Sequence, residues 1–441
     1  MDRQSYVREF ARHTILSVIG TLGVSCYILA DTFFVSKGLG MNGLAALNLA
    51  IPVYNFIHGA GLMLGMGGAT RFSVCKIQGK QEEINRVYAN TIYLAILCSV
   101  IFFLLGLFFS GQLAILLGAD AGVLEMTDTY LKWLLLFAPA FILNDVLLCF
   151  VRNDENPQQS MIAMLIGSLS NILLDYIFIF PLQMGIFGAI LATGLSPMIS
   201  IVMMLSHWIR KRNTFYFVKT KMEANIIKQE LSLGFPSLIA QLSPGIVMIV
   251  FNAIILKLEG NTGVAAYSVI SNILLVIVAV YTGMGQGVQP IISTFYGIGN
   301  DKQAKTILRY AIITMLTVSS VVYLLIFIFA QPLTAVFNSE NNMELQRIAV
   351  SGLKLYFLSV VFVGYNIILA TFFTSIEKAL PAQILSALRG VILMIPMAFF
   401  LSALWKMTGV WLTYPITEFL VALLGFSIYQ YYNIQNKPNK K

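Results

Sequence analysis

The chain has 441 residues, of which 58% are hydrophobic and only 11% are charged, and it carries a formal net charge of +8. Soluble domains contain about 25% charged residues, so this composition excludes a soluble fold and indicates a membrane protein. Apolar stretches of about 20 residues recur along the chain, and each is long enough to cross a bilayer as a helix. The ten-residue alternation typical of outer-membrane barrels is missing, so we expect an all-α polytopic fold.

Twelve membrane-spanning helices are predicted between the polar breaks of the sequence. Their approximate limits are 13–36, 44–69, 88–109, 128–151, 158–181, 184–209, 231–257, 263–293, 306–330, 349–375, 381–404 and 408–432. If both termini are cytoplasmic, 21 Lys and Arg residues lie in cytoplasmic segments and six lie at the outside ends. This bias follows the positive-inside rule, so we expect a bacterial inner-membrane protein with both termini in the cytoplasm. Because these basic residues set the topology, we expect no nucleic-acid partner.

The longest polar stretch of the chain, 210–228, separates the first six spans from the last six. We therefore predict an N-terminal lobe at 1–209, a cytoplasmic linker at 210–230 and a C-terminal lobe at 231–441. A sequence similarity links the two halves when they are aligned without gaps. It relates segment 131–144 (LKWLLLFAPAFILN) to segment 353–366 (LKLYFLSVVFVGYN). Such a parallel repeat predicts two pseudo-symmetric six-helix bundles with a substrate cleft between them.

Two acidic residues inside the first lobe are the strongest candidates for chemistry. A charged side chain at a helix centre costs about 2.5–3.5 kcal/mol on insertion scales, so each such residue calls for a reason. Asp31 and Asp175 are each six residues from the outer end of their span, at a matching depth of about 9 Å. Asn171 and Thr193 lie at a similar level. Two neighbouring carboxylates in a low dielectric do not both ionise cheaply, so the cluster predicts a proton site. The alternative is that each aspartate caps a kink or pairs with a hydroxyl group.

Other polar residues in the spans are candidate substrate ligands. Glu418 lies near the middle of span twelve, where it is either a ligand for a cationic substrate or a partner of a neighbouring helix. His58 accompanies two polar residues in span two, although a lone histidine is more often a packing residue. The complete candidate set is Tyr54, Asn55, His58, Asn144, Gln241, Asn252, Gln286 and Glu418.

The sequence offers little support for other kinds of chemistry. It contains no Walker lysine motif, HExxH or GxSxG, and its loops are too short for a nucleotide-binding domain. No cysteine pair has the spacing of zinc ligands. We therefore expect neither an enzyme nor a protein that needs a cofactor or a metal.

Several motifs, in order and spacing, resemble the multidrug and toxic compound extrusion (MATE) family. They are Asp31-Thr-Phe-Phe-Val-Ser-Lys-Gly38, Gly43-Leu-Ala-Ala, Asn171-Ile-Leu-Leu-Asp175, Gly188-Ala-x-x-Ala-Thr193, Gly234-Phe-Pro236, Gly285-Gln-Gly-Val-Gln-Pro290 and Tyr296-Gly-x-Gly-Asn300. The resemblance implies two bundles in a V that export cationic and amphipathic compounds in exchange for protons or sodium ions.

The resemblance also bears on the site and on one loop. Asp31, Asn171, Asp175 and Thr193 match the first-lobe polar pocket of the branch typified by the DNA-damage-inducible transporters. The second-lobe acids of another branch have no match, so coupling is expected in the first lobe. The loop after span four departs from the family pattern Arg-x-x-Gly-x-Pro, because it reads Arg152-Asn-Asp-Glu155-Asn-Pro157.

The expected function is antiport of organic cations or amphipathic drugs against protons or sodium ions by alternating access. We expect a monomer that works among membrane lipids. The main alternative is a flippase for lipid-linked precursors, which would favour a more basic cleft than this acidic, arginine-poor interior. A channel or a membrane enzyme is a weaker alternative, because no filter-like repeat or nucleophile with a base is visible.

Overall fold

A computed structural model describes residues 3–337 and 342–435 of the chain. The lobes as predicted also include residues 1–2, 338–341 and 436–441, which lie outside the described residues. Within the described part all regular structure is helical. The α-helices are α1 (Arg3–Ile77), α2 (Gln81–Leu116), α3 (Leu124–Leu136), α4 (Ala138–Asn153), α5 (Pro157–Ile179), α6 (Gly185–Ile209), α7 (Ala224–Gly297), α8 (Asp301–Phe337), α9 (Met343–Tyr356), α10 (Val360–Ser375), α11 (Ala379–Ala387) and α12 (Met394–Gln435). A 3₁₀ turn, Phe357–Ser359, joins α9 to α10, and a π-turn, Leu388–Ile392, follows α11.

These helices make twelve membrane crossings, as the sequence predicted. Eight continuous stretches are long and apolar enough to cross a membrane, and the pair α3–α4, bent by 47°, makes a ninth. Three of the stretches are broken near the middle, at Gly40, at Gly260 and at Trp405–Lys406, whereas the break in α8 at Phe329 lies close to the end of that helix. Each of the three therefore supplies two crossings, with the break at the turn between them.

The repeat is visible in the backbone conformation. Gly40 and Gly260 have nearly the same dihedral angles, with φ of 68° and 61° and ψ of −156° and −155°. Gly79 and Gly299 likewise share positive φ values of 71° and 72°. The two members of each pair are separated by the same interval of sequence. Each lobe also has its own hydrophobic core, so the two halves are similar bundles.

The lobes touch each other mainly at one end of the molecule, which we call the terminal end because α1 begins and α12 ends there. Among the described residues, four hydrogen bonds cross between the lobes in this half. They are Thr21 Oγ1 to Ala279 O (2.9 Å), Gln289 Nε2 to Thr70 Oγ1 (3.1 Å), Arg71 Nη1 to Glu377 Oε1 (2.9 Å) and Gln78 Nε2 to Gly297 O (3.3 Å). The structure therefore shows a state in which the lobes are closed against each other at the terminal end.

A buried carboxylate anchors the start of the linker between the lobes. Asp154 accepts hydrogen bonds from Lys76 Nζ at 2.8 Å, His207 Nε2 at 3.0 Å and the Thr214 backbone at 2.8 Å. Burial on its own raises the pKa of Asp154, but the bonds from His207, Lys76 and Thr214 outweigh burial and hold it below the usual value. Helix α7 begins at Ala224, so residues 224–230 of the predicted linker are helical.

The loop that departs from the family pattern keeps the backbone shape that a glycine would favour. Glu155 stands where the family motif has glycine, and its φ is 61°. Its counterpart in the repeat of the second lobe is Glu377, with φ of 56°. The loop geometry is thus the same in both lobes, with a residue other than glycine in the left-handed region each time.

Candidate functional site

The structure brings the two predicted aspartates together inside the N-terminal lobe. Asp31 of α1 is 7% exposed and Asp175 of α5 is fully buried. The two carboxyl groups lie close enough to interact directly. Among the described residues, none donates a hydrogen bond to Asp31 Oδ1 or to either oxygen of Asp175. Two buried, unpaired carboxylates side by side are unstable as a pair of anions, so this geometry favours at least one bound proton or a bound cation.

Helices α5 and α6 supply the neutral partners that were predicted. Asn171 lies one turn before Asp175 and donates from Nδ2 to Thr193 Oγ1 at 3.4 Å. Thr193 donates in turn to the Ala189 carbonyl at 3.0 Å. Asn171 Oδ1 is buried without a described partner, so an unused acceptor lies beside the aspartate pair.

Sequence reasoning missed two tyrosines at this site. Tyr130 of α3 is buried and interacts with Thr193 and with both aspartates. Nothing in the sequence pointed to it, because α3 reaches the pocket only through tertiary packing. Tyr27 is one helical turn before Asp31, so its spacing was a usable signal.

Tyr27 connects the aspartates to the polar residues predicted in span two. The hydroxyl groups of Tyr27 and Tyr54 form a short hydrogen bond. The ring of Tyr54 packs on His58 with centroids 4.5 Å apart, and His58 Nδ1 lies 2.8 Å from Asp145 Oδ2. The lobe therefore contains two acidic clusters, with a pair of tyrosine hydroxyl groups between them.

The remaining predicted ligands are dispersed. Asn55 faces α7 at Gly245, and Gln241 of α7 packs against Gly59. Three of these predicted ligands are amides with a buried side-chain oxygen that has no described partner, namely Asn144, Asn252 and Gln286. These oxygens are available to accept a hydrogen bond, but the structure does not gather the three amides around the aspartates by any described contact.

Glu418 of the second lobe is an ion-pair partner of a neighbouring helical segment. Arg389, in the π-turn, donates from Nη2 to Glu418 Oε1 at 2.9 Å and from Nε to the same oxygen at 3.1 Å. Asn366 donates to Glu418 Oε2 at 2.7 Å. The charge of this buried glutamate is therefore balanced within its own lobe, whereas the aspartates of the first lobe lack a described basic partner. Among the described residues no cluster of His, Cys, Asp and Glu has the arrangement of a metal site.

Comparison with known proteins identifies the fold and the family. The family model MatE matches residues 17–177 and 236–400, which is more than half of the chain. The multidrug export protein MepA of Staphylococcus saprophyticus is 26% identical, with 97% of this chain and 94% of the relative covered. The protein of the same name from Staphylococcus aureus strain MRSA252 is also 26% identical, with the same coverage.

Solved structures agree over nearly the whole chain. One is a MOP superfamily transporter from Pyrococcus furiosus described as having a binding pocket of reverse polarity, with 26% identity and a TM-score of 0.89. Another is a multidrug resistance MATE family transporter in an outward-facing conformation, with 25% identity and a TM-score of 0.90. Both alignments cover 96% of this chain and 95% of the other. The protein is therefore a multi-pass membrane transporter with a V-shaped, twelve-helix fold rather than an enzyme, and it belongs to the MatE, or multidrug and toxic compound extrusion, family.

Proposed function

We propose that this chain exports small organic cations and amphipathic drugs in exchange for protons. The observation that carries the proposal is the pair Asp31 and Asp175, two buried carboxyl groups in contact with no described basic partner. A site of this kind binds positive charge, and it can take that charge either as protons or as an organic cation. The relatives named multidrug export proteins support the substrate class.

Coupling follows if protons and the drug compete for the same charge. Protonation of the pair removes its negative charge and so weakens its hold on a cation, which releases the drug. Once the aspartate pair has lost its proton, its negative charge favours binding of the next cation. Cation binding and proton binding therefore oppose each other, as an antiporter requires.

The direction of transport rests on the orientation of the lobes. The basic residues concentrate at the terminal end, which supports a cytoplasmic location for that end in a bacterial plasma membrane. The closed terminal end then corresponds to an outward-facing state, and the similarity to an outward-facing transporter supports this interpretation.

We also propose that the monomer is sufficient, because one chain supplies both lobes. Arg389 balances the charge of Glu418 in the second lobe, whereas the aspartate pair of the first lobe has no described basic partner. This difference favours cationic cargo over anionic lipid-linked precursors.

The test is cation transport in proteoliposomes under an imposed pH gradient. The full-length protein should move tetraphenylphosphonium in the direction opposite to the proton flow. Replacement of sodium by choline should leave the transport rate unchanged. Asp31→Asn and Asp175→Asn should each reduce the pH-driven rate by at least tenfold, since each removes one acid of the pair. A tenfold effect corresponds to about 1.4 kcal/mol, well within the range for one buried charge.

Asp120→Asn is the matched control, because Asp120 caps an exposed loop of the same lobe by accepting from Gly122 N at 2.9 Å. Asparagine preserves such a cap, so this variant should transport like the wild type. Normal transport by both pocket variants would refute the assignment. If transport requires sodium, sodium and not the proton is the coupling ion. If the protein flips a lipid-linked precursor and does not transport the cation, the flippase alternative is favoured.

A further inference from the structure

The pair His58 and Asp145 is a second acidic cluster that the proposed exchange does not use. His58 Nδ1 and Asp145 Oδ2 are 2.8 Å apart, with side-chain exposures of 15% and 8%. His58 Nε2 is buried and has no described hydrogen-bond partner. A buried imidazole with one nitrogen on a carboxylate and the other free is able to take up a proton and share its charge with the aspartate.

The Tyr27–Tyr54 contact lies between this pair and the aspartate pair. Asp31 is one helical turn beyond Tyr27 toward the far end of the bundle, and His58 is one turn beyond Tyr54 toward the terminal end. Each of these four-residue steps rises about 6 Å along the helix axis. The two acidic clusters are therefore stacked along the transport axis, with the hydroxyl groups of the two tyrosines at the level between them.

Titratable groups from several helices surround this arrangement. Both tyrosine hydroxyl groups interact electrostatically with Asp145, and that of Tyr27 also interacts with Asp31 and Asp175. On the terminal side, Asp145 is followed on α4 by Arg152, whose charge it influences. Further titratable groups among the described residues are Cys149 on α4, Tyr130 on α3 and, against Gly67 farther along, Glu230 on α7.

We propose that His58 and Asp145 form a second proton-binding site, stacked on the Asp31–Asp175 site through the hydroxyl groups of Tyr27 and Tyr54. The inference rests on the proposed exchange of protons for cations. A cation that enters the lobe repels the positive charge of a protonated imidazole, just as it disfavours protons on the aspartate pair, so both sites release protons when the drug binds. The number of protons released per drug then exceeds what the aspartate pair supplies.

The experiment counts protons released per tetraphenylphosphonium bound. Purified full-length protein in detergent is titrated with the cation in weakly buffered solution containing a pH indicator, at several values from about pH 5.5 to 8.5, the range in which imidazoles titrate. His58→Gln should release fewer protons per cation than the wild type at the acid end of this range, because glutamine does not take up a proton. Asp145→Asn, which removes the carboxylate partner, should lower the release in the same direction.

His207→Gln is the matched control, because His207 also pairs with a buried aspartate, Asp154, at 3.0 Å but lies at the end of α6 beside the linker. It should release as many protons per cation as the wild type. Equal release by His58→Gln and the wild type at every pH would overturn the second site while leaving the proton exchange intact. Loss of tetraphenylphosphonium binding in both His58→Gln and Asp145→Asn would also overturn the second site, because this pair would then bind the cation itself and not a proton. No release from the wild type would instead refute the proposed function.

Discussion

At the scale of single residues, the contrast between paired and unpaired acids separates structural residues from candidates for coupling. Asp154 and Glu418 are buried, but each is bound by basic and neutral donors. Asp31 and Asp175 are also buried, but among the described residues no donor binds Asp31 Oδ1 or either oxygen of Asp175. The desolvation of these two carboxyl groups has no compensation among the described residues, so protons or cations would stabilise them. The same holds for Glu230 of α7, which is fully buried and whose two side-chain oxygens also lack a described partner.

Asp154 provides a prediction for stability against pH. Its pKa is lowered in the folded protein, so its contribution is present above its unfolded value of about 3.9 and is lost as the pH falls through the folded value. Asp154→Asn should reduce the stability of the detergent-solubilised protein by about 1–3 kcal/mol at neutral pH. The difference from the wild type should shrink below about pH 4. A thermal shift that is the same at both pH values would contradict this role.

The two glutamates with positive φ should respond differently to glycine. Glycine adopts this conformation without strain, and the exposed ion pair of Glu155 with Lys76 is worth about 0–1 kcal/mol. Glu155→Gly should therefore leave thermal stability unchanged or raise it by up to about 1 kcal/mol. Glu377→Gly should lower it, because the substitution removes the bond from Arg71 that joins the lobes. Melting temperatures that move in the same direction in both variants would count against this distinction.

At the scale of helices, close backbone approach decides where the lobes are able to close. A Cβ atom at Gly234 of α7 would lie 1.8 Å from the Met63 carbonyl oxygen of α1, so even alanine has no room there. A Cβ atom at Gly245 of the same helix would meet nothing nearer than Asn55 Nδ2 at 3.8 Å. The two glycines are thus a natural matched pair for testing the closed terminal end.

Gly234→Ala should prevent the terminal end from closing, while Gly245→Ala should not. The measurement is the distance between spin labels at Lys80 and Ile298, which lie close in sequence to the two partners of the bond from Gln78 to Gly297 that joins the lobes. We expect a longer distance and impaired transport in Gly234→Ala, with wild-type behaviour in Gly245→Ala. An unchanged distance in Gly234→Ala would show that the backbone contact does not control closure.

The helices themselves were largely predictable from the sequence, because hydropathy and glycine position mark them directly. The predicted gaps at 37–43, 258–262 and 405–407 contain Gly40, Gly260 and the Trp405–Lys406 break. Burial of the aspartate pair also followed from depth counting along two helices. Tyr130 and the Arg389–Glu418 pair depend on which helices pack together and on a π-turn. Hydropathy does not carry that information, so they emerged only from the structure.

At the scale of the whole molecule, the two halves of the repeat share their turns but not their charges. The glycine turns of the first lobe recur at matching positions in the second, while the aspartate pair occurs in the first lobe and the balanced Arg389–Glu418 pair in the second. Two bundles of one architecture thus differ in their demand for positive charge. In the proposed exchange, the first lobe is therefore the one that binds the coupling charge.

The central claim is that protons and organic cations compete for Asp31 and Asp175, and its most direct test is cation affinity as a function of pH. The dissociation constant of tetraphenylphosphonium should be measured on the purified full-length protein from about pH 5 to 8, a range that brackets the pH at which the proposed exchange would operate in cells. We expect affinity to weaken steadily as the pH falls, and we expect the variant with both Asp31→Asn and Asp175→Asn to lose that dependence. An affinity for the wild-type protein that stays constant across the whole range would contradict the account.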